Sequence, residues 1–219
     1  MTDRDDPASR RTAAIVLAVG VTSALHIGKL PVAIPVLRDA LQLTLVQAGF
    51  LLSLVQLAGM TLGLAVGLTA DRLGPRQVML IGLVLLALGS VVGALAPGTG
   101  VLLLSRVVEG VGFLLSVLPA PGLLRRRVRH APTLSRALGW WGAYMPLGTA
   151  LALLLGGVLM DQVGWRGTWV ALSVLSLGSA VLLARRVAPD EASAAAKSGL
   201  AAVAWGPRLR KTLTAPGPW

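Results

Sequence analysis

Four long stretches of this chain hold no charged side chain: residues 40–70, 77–105, 137–160 and 167–184. A water-soluble domain of 219 residues spreads its charges along every helix; here they are confined to the gaps between apolar runs. A bilayer core about 30 Å thick is crossed by ~20 apolar helical residues. The runs are long enough for that, and the longer ones hold a helix together with its flanking turns. They do not alternate in polarity, so they are not the roughly ten-residue strands of a membrane barrel. With 55% apolar and 13% charged residues, and a mean hydropathy of +0.76, the composition lies outside the soluble range. The chain is predicted to be an all-α integral membrane protein with six transmembrane helices, over residues 12–34, 45–69, 77–96, 101–121, 136–159 and 167–187.

The net charge of +11 does not point to nucleic acid. The basic residues lie between spans, with no aromatic side chains interleaved to stack on bases. They also sort by side. Three precede the first span, two (Arg72 and Arg76) join the second to the third, five lie from the end of the fourth to the first residue of the fifth (Arg136), and six lie at the end of the sixth (Arg185, Arg186) and beyond it. Those sixteen of twenty fall on one face of the membrane, against Arg38 and Arg166 on the other. The excess of positive charge on cytoplasmic loops then places both termini in the cytoplasm of a multi-pass plasma-membrane protein. Residues 1–11 form a cytoplasmic N-terminus. Ser9-Arg10-Arg11 reads as an anchor for the first span rather than a twin-arginine export signal, because five more spans follow. Seventeen of the twenty basic residues are Arg, as in GC-rich bacterial genes.

A ten-residue pattern occurs twice, ninety positions apart. The first copy is Gly67-Leu-Thr-Ala-Asp71-Arg72-Leu-Gly74-Pro-Arg76; the second is Gly157-Val-Leu-Met-Asp161-Gln-Val-Gly164-Trp-Arg166. Each ends one apolar segment and opens the next. Under the orientation above, the first copy is cytoplasmic and the second external. Related segments of opposite topology form an inverted repeat, so residues 12–96 and 101–187 are expected to be two three-helix copies related by an in-plane pseudo-twofold axis. Gly74 suits a turn needing positive φ. Asp71 can meet helix-terminal N–H groups or the side chains of Arg72 and Arg76. The Gly59, Gly63 and Gly67 stripe and the Gly89 and Gly93 pair are expected to let helices approach closely.

The first copy resembles the signature loop between the second and third helices of the major facilitator superfamily. Arg106-Val-Val-Glu109-Gly110-Val-Gly112 is similar to that superfamily's fourth-helix R-x-x-x-G motif. Pro75 stands where the family often has a basic residue. The resemblance implies half of a twelve-helix transporter that moves small solutes by alternating access, often with protons. It also implies that Gly67, Asp71, Arg72, Gly74 and Arg76 form a conformational gate, Asp71 latching to the other half of the protein. Gly142-Ala-Tyr-Met-Pro146-Leu-Gly148 resembles the Gly-Pro motif of drug–proton antiporters, but Met145 replaces the glycine before the proline. Pro146 is expected to kink the helix. Gly28-Lys29-Leu-Pro31, with Tyr144-Met-Pro146-Leu-Gly148, looks more like the cyanate- and nitrate-type branches.

Four ionisable residues fall inside spans: His26 and Lys29 on the first, Arg106 and Glu109 on the fourth. Such groups are costly in a bilayer and are functional candidates by default. Thr22, His26 and Lys29 share one helical face. His26 and Lys29, like Arg106 and Glu109, are i, i+3 neighbours. Counted from the outer ends, Lys29 and Arg106 lie roughly 8–9 Å deep and His26 and Glu109 roughly 12–13 Å. In the resembled family the first and fourth helices line the central cavity. Lys29 and Arg106 are therefore expected to offer positive charge to an anionic substrate, with Glu109 and His26 setting the proton balance. The plainer readings are that Lys29 and Arg106 snorkel to headgroups, that Glu109 only neutralises Arg106, and that His26 is a packing residue.

Residues 188–219 read as a basic cytoplasmic linker ending in the approach to a seventh helix. The chain is thus expected to be a fragment of a longer protein, or else a half-size transporter pairing with a second copy. No catalytic residue, metal site or cofactor is expected. Hydrolase signatures and a Walker A loop are absent from the sequence. The expected partners are the lipid bilayer, a small anionic substrate, protons, and a second half or second copy. The rival reading is a non-transporting membrane subunit.

Overall fold

The computed structural model describes residues 7–190, except the side chains at 56, 58–61, 64, 68, 71 and 72. The described residues form seven helices and no strand: α1 (Pro7–Leu41), α2 (Leu45–Leu73), α3 (Pro75–Ala94), α4 (Thr99–Val117), α5 (Ala120–Arg127), α6 (Ala131–Gly142) and α7 (Tyr144–Arg186). Four stretches among them are long and apolar enough to cross a membrane: Pro7–Leu41, Pro75–Ala94, Thr99–Arg127 and Tyr144–Arg186. The 43-residue α7 is interrupted at Gly164, which takes φ 70° and ψ 171°.

The helix boundaries have local causes. Thr44 accepts a hydrogen bond from the Gln47 N–H while the Gln47 side chain accepts from the Thr44 N–H, so α2 opens on a capping box. Gly74, at φ 89°, ends α2, and Pro75 opens α3, where its missing N–H costs nothing. The first span is longer than expected, as α1 continues past residue 34 through Pro35 to Leu41. The fifth is broken one turn before Pro146: α6 ends at Gly142 and α7 starts at Tyr144. Pro146 has no N–H to offer the Gly142 carbonyl, so the helix must deform there.

The most extensive packing is of α1 on α7 and of α3 on α4, followed by α3 on α7 and α2 on α4. Glycines set the closest approaches. A Cβ on Gly82 would lie 2.4 Å from the Ser116 N, and one on Gly112 would lie 2.6 Å from the Leu86 N, so α3 and α4 cross backbone to backbone. Gly28 and Gly148 do the same for α1 and α7, their Cβ atoms meeting those of Ala152 and Ala24 at 2.6 and 2.5 Å. The stripe expected on α2 behaves differently. Gly63 and Gly67 have nothing within 4 Å of an added Cβ, because that face of α2 turns away from the other described helices. The Gly59 side of this reading lies outside the described residues.

Two large clusters dominate the apolar interior, beside a small third one of Val66, Val78 and Leu114. One cluster gathers Val19, Leu83, Leu86, Phe113, Ala180 and Leu183. The other gathers Leu30, Leu37, Ala94, Leu102, Trp165 and Trp169. On α1, α3, α4 and α7 a set of buried polar residues (His26 and Lys29, Ser90, Arg106 and Glu109, Ser176) falls between these two clusters, which puts a polar layer in the middle of the bundle.

Candidate functional site

That layer is built from four helices. His26 and Lys29 descend from α1, Arg106 and Glu109 from α4, Ser90 from α3 and Ser176 from α7. All four ionisable side chains are buried, with 0, 2, 1 and 1% of their surface exposed in that order. Neither Lys29 nor Arg106 snorkels outward. The four do not stand on an open cavity wall; α7 lies across the polar face of α1 and closes it.

Glu109 is the hub. Its Oε1 accepts from Lys29 Nζ at 2.5 Å and lies 3.3 Å from His26 Nδ1, while its Oε2 accepts from Arg106 Nη1. The predicted Arg106–Glu109 neighbour pair is therefore an ion pair within α4, and Lys29 adds a second across helices. Lys29 Nζ also donates to Ser90 Oγ at 3.0 Å and stands 4.3 Å from the ring centroid of Trp169. Arg106 Nη1 reaches the His26 carbonyl at 3.3 Å. Gly89 and Gly93 make room here, since their Cβ atoms would fall 2.8 Å from Glu109 Cγ and 2.7 Å from Trp169 Cδ1. The spacing these two glycines provide thus serves the charged layer.

Charge and proton placement follow from that geometry. With His26 neutral, two cations face one carboxylate, leaving a single surplus positive charge. Arg106 Nε is buried without a hydrogen-bond partner among the described residues. His26 Nε2 is 2.8 Å from Ser176 Oγ, and Nδ1 lies between Glu109 and Lys29, 3.5 Å from the latter. The ring can carry its proton on Nδ1, donating to Glu109 and accepting from Ser176. It can equally carry it on Nε2, donating to Ser176 and accepting from Lys29. The site accommodates both arrangements without moving a heavy atom.

Sequence reasoning placed Thr22, His26 and Lys29 on one face but missed what that face meets. Ser173, Ser176 and Ser179 recur every third residue on α7; Ser176 and Ser179 meet that face, and Ser173 turns to α3. Thr22 and Ser179 share a hydrogen bond at 3.0 Å, and Ser173 donates to the Ala87 carbonyl at 3.0 Å. The three-residue serine spacing was the available signal.

The two motif copies lie at opposite ends of α3. In the first, Arg76 donates through Nη2 to the Ala184 carbonyl at 2.7 Å, and its backbone N–H donates to Asp190 Oδ2 at 2.9 Å. Gly74 leaves space for that carboxylate, since a Cβ there would come 2.4 Å from Asp190 Oδ2. Arg127 closes the arrangement, 3.6 Å from Asp190 Oδ1 and donating to the carbonyls of Ala188 and Pro189. Residues 188–190, expected to begin a linker, are therefore held. Gly67 stands open, and the side chains of Asp71 and Arg72 lie outside the described residues, as does the tail from residue 191. In the second copy Arg166 donates to the Ala96 carbonyl at 3.0 Å and stacks on Trp165, which meets Trp169 edge-on at 5.7 Å. Gly74 and Gly164 are the glycines with positive φ among the described residues.

Long apolar helices around a buried ionic layer mark a multi-pass membrane protein. The family model of the Major Facilitator Superfamily matches residues 14–219. The chain belongs to that superfamily. It is 35% identical over 130 residues to the Multidrug resistance protein Stp of Mycobacterium tuberculosis, a match covering 57% of this chain and 24% of Stp. To the Lincomycin resistance protein of Streptomyces lincolnensis it is 30% identical over 177 residues, 80% of this chain and 36% of that protein. Its fold matches the crystal structure of a bacterial homolog of the human lysosomal transporter Spinster, with TM-score 0.78 and 17% identity, over 86% of this chain and 45% of that one. The chain thus spans less than half the length of each of these proteins. Neither of the two sequence relatives carries a cyanate or nitrate transporter's name.

Proposed function

We propose that this chain is the six-helix half of a secondary active transporter, working with a second half or a second copy. It moves a small organic solute by alternating access, coupled to protons. Its six spans form two inverted triplets, residues 12–96 and 101–187, with both termini in the cytoplasm and the bundle in the plasma membrane. The break of α7 at Gly164 supports two spans within that helix, and the placement of the motif copies at opposite ends of α3 supports the inversion. The open glycine face of α2 suits contact with a second half or a second copy.

One observation carries the functional reading: three intramembrane ionisable groups, His26, Lys29 and Arg106, meet at the carboxylate of a fourth, Glu109, sealed from solvent. Burial of that kind is retained where charge is used. Glu109 balances the cations, and His26 is the group whose proton can shift between Ser176 and Glu109. The surplus positive charge and the unpartnered Arg106 Nε support an anionic group on the solute. The resistance names of the relatives support export.

Proteoliposomes holding the full chain test this, with fluorescein as an anionic probe and ethidium as a cationic one. Probe movement should follow an imposed pH gradient, favour fluorescein, and disappear in a Glu109→Gln variant that still inserts. Movement favouring ethidium would overturn the anionic assignment. Probe movement independent of the gradient would remove proton coupling, and no movement of either probe would exclude a working pair of copies of this chain.

A further inference from the structure

The two proton arrangements open to His26 are tied to the charge on Glu109. Lys29 has three N–H groups to place. Glu109 Oε1 at 2.5 Å and Ser90 Oγ at 3.0 Å accept two, and the Trp169 ring, its centroid 4.3 Å away, faces the third. None is left for His26 Nδ1, which stands 3.5 Å from Nζ. While Glu109 is ionised, Nδ1 therefore turns to the carboxylate oxygen 3.3 Å away, and the ring proton stands on Nδ1. Nε2 is then a bare acceptor on a wholly buried ring, and its partner must donate. Ser176 is free to do so. Ser105 and Thr168 turn their hydroxyl protons to carbonyls of their own helices, whereas Ser176 Oγ faces Nε2 at 2.8 Å.

A neutral Glu109 reverses these roles. A protonated carboxyl attracts neither the Lys29 ammonium nor the Nδ1 proton, so Nδ1 accepts from Lys29 and the ring proton stands on Nε2, donating to Ser176. We propose that the two tautomers are the two ends of one proton transfer, and that Ser176 is the group through which a proton reaches His26 and then Glu109. A hydronium ion arriving at Ser176 bonds a proton to Oγ, the hydroxyl's own proton leaves for Nε2, and the Nδ1–H bond breaks as Glu109 Oε1 takes that proton. Water and a neutral Glu109 result, and no net charge rests on His26. Return of the proton along the same atoms reverses the step. The seam between α1 and α7 stays polar beyond Ser176, since Thr22 and Ser179 share a hydrogen bond at 3.0 Å on the next turn. That turn lies toward the helix ends carrying Arg11 and Arg186, the side from which the proton comes. The inference rests on the proton-coupled reading of this site and adds to it the entry point and the order of transfer.

Nitrogen-15 NMR of the full chain, labelled at histidine and held in lipid bilayers without a gradient, tests this. The chain has two histidines, His26 and His130, and a His130→Gln variant assigns the His26 signals. In the native chain Nδ1 should carry the proton, and Nε2 should be unprotonated and hydrogen-bonded. In Ser176→Ala the Nε2 signal should move toward that of an unbonded ring nitrogen while Nδ1 stays protonated. Ser176→Thr, which keeps the hydroxyl, should restore it. Glu109→Gln stands in for the neutral carboxyl: with its amide oxygen held by Arg106, its NH2 group meets Nδ1, and the ring proton should move to Nε2. Gradient-driven movement of fluorescein should slow about a hundredfold in Ser176→Ala and recover in Ser176→Thr. A native ring protonated on Nε2, or on both nitrogens, would overturn the proposal. So would an Nε2 signal indifferent to Ser176→Ala, or a proton still on Nδ1 in Glu109→Gln. If Glu109→Gln fails to fold by circular dichroism, the native and Ser176 spectra decide. The spectra are read without transport, so this assignment and the transport reading fail separately.

Discussion

Lys29 stands over Trp169, its ammonium 4.3 Å from the ring centroid, and Trp169 in turn meets Trp165 edge-on. Arg166 of the second motif copy stacks on Trp165, so a column of cation and indole contacts runs from the Gly164 break to the buried charge layer. Trp169 is wholly buried. Trp169→Ala should cost about 3–5 kcal/mol by loss of packing. Trp169→Phe, which keeps a ring face under Lys29, should cost clearly less. Unfolding titrations in mixed micelles measure both; equal losses would mean that the ring face contributes nothing.

The α3–α4 crossing makes a prediction about glycines of unequal importance. Gly82→Ala places a methyl group 2.4 Å from a backbone nitrogen, and neither helix can yield without separating. It should destabilise by about 1–3 kcal/mol, the range of core overpacking. Gly63→Ala, facing open space, should be neutral or slightly stabilising through helix propensity. Thermal unfolding of the two variants side by side decides it.

Gly74 and Gly164 share a backbone region that L side chains rarely adopt, at a cost of about 1–3 kcal/mol each. Only Gly74 also houses a carboxylate. Gly74→Ala should therefore lower the melting temperature more than Gly164→Ala. Asp190→Asn weakens the pairing with Arg127 and the N-terminal charge interaction with α3. If the seat matters, it should remove part of the difference between the two alanine variants.

The chain has no cysteine, so single cysteines report topology without prior substitution. Gln42→Cys and Gly98→Cys, in the connections after α1 and α3, should be labelled from outside intact cells by an impermeant maleimide. Arg129→Cys, between α5 and α6, should react only after permeabilisation. Labelling of Gly98→Cys and Arg129→Cys from the same side would end the inverted-repeat arrangement.

Local features were legible in the sequence. Gly74 and Gly164 could be placed because a turn between helices announces itself through glycine spacing, and the i, i+3 pairing of Arg106 with Glu109 is fixed by helix geometry alone. What depends on helices crossing was not legible. Ser90, Ser176 and Trp169 join the charge layer only because α3 and α7 pack over α1 and α4. Gly82 and Gly112 lack the four-residue stripe that marks a contact face, whereas Gly63 and Gly67 have it and face outward. Asp190 reads as the first polar residue of a linker, since nothing in the sequence tells that Gly74 leaves a seat for it.

The central claim is that Glu109 holds cations from two helices in one buried unit, and a double-mutant cycle between Lys29 and Glu109 tests it most directly. Glu109→Gln alone should destabilise by about 3–5 kcal/mol, because it strands Lys29 and Arg106 as buried charges. Adding Lys29→Met should recover part of that loss, giving a coupling energy of at least about 1.5 kcal/mol. Additive effects would contradict the account, for the two residues would then act apart.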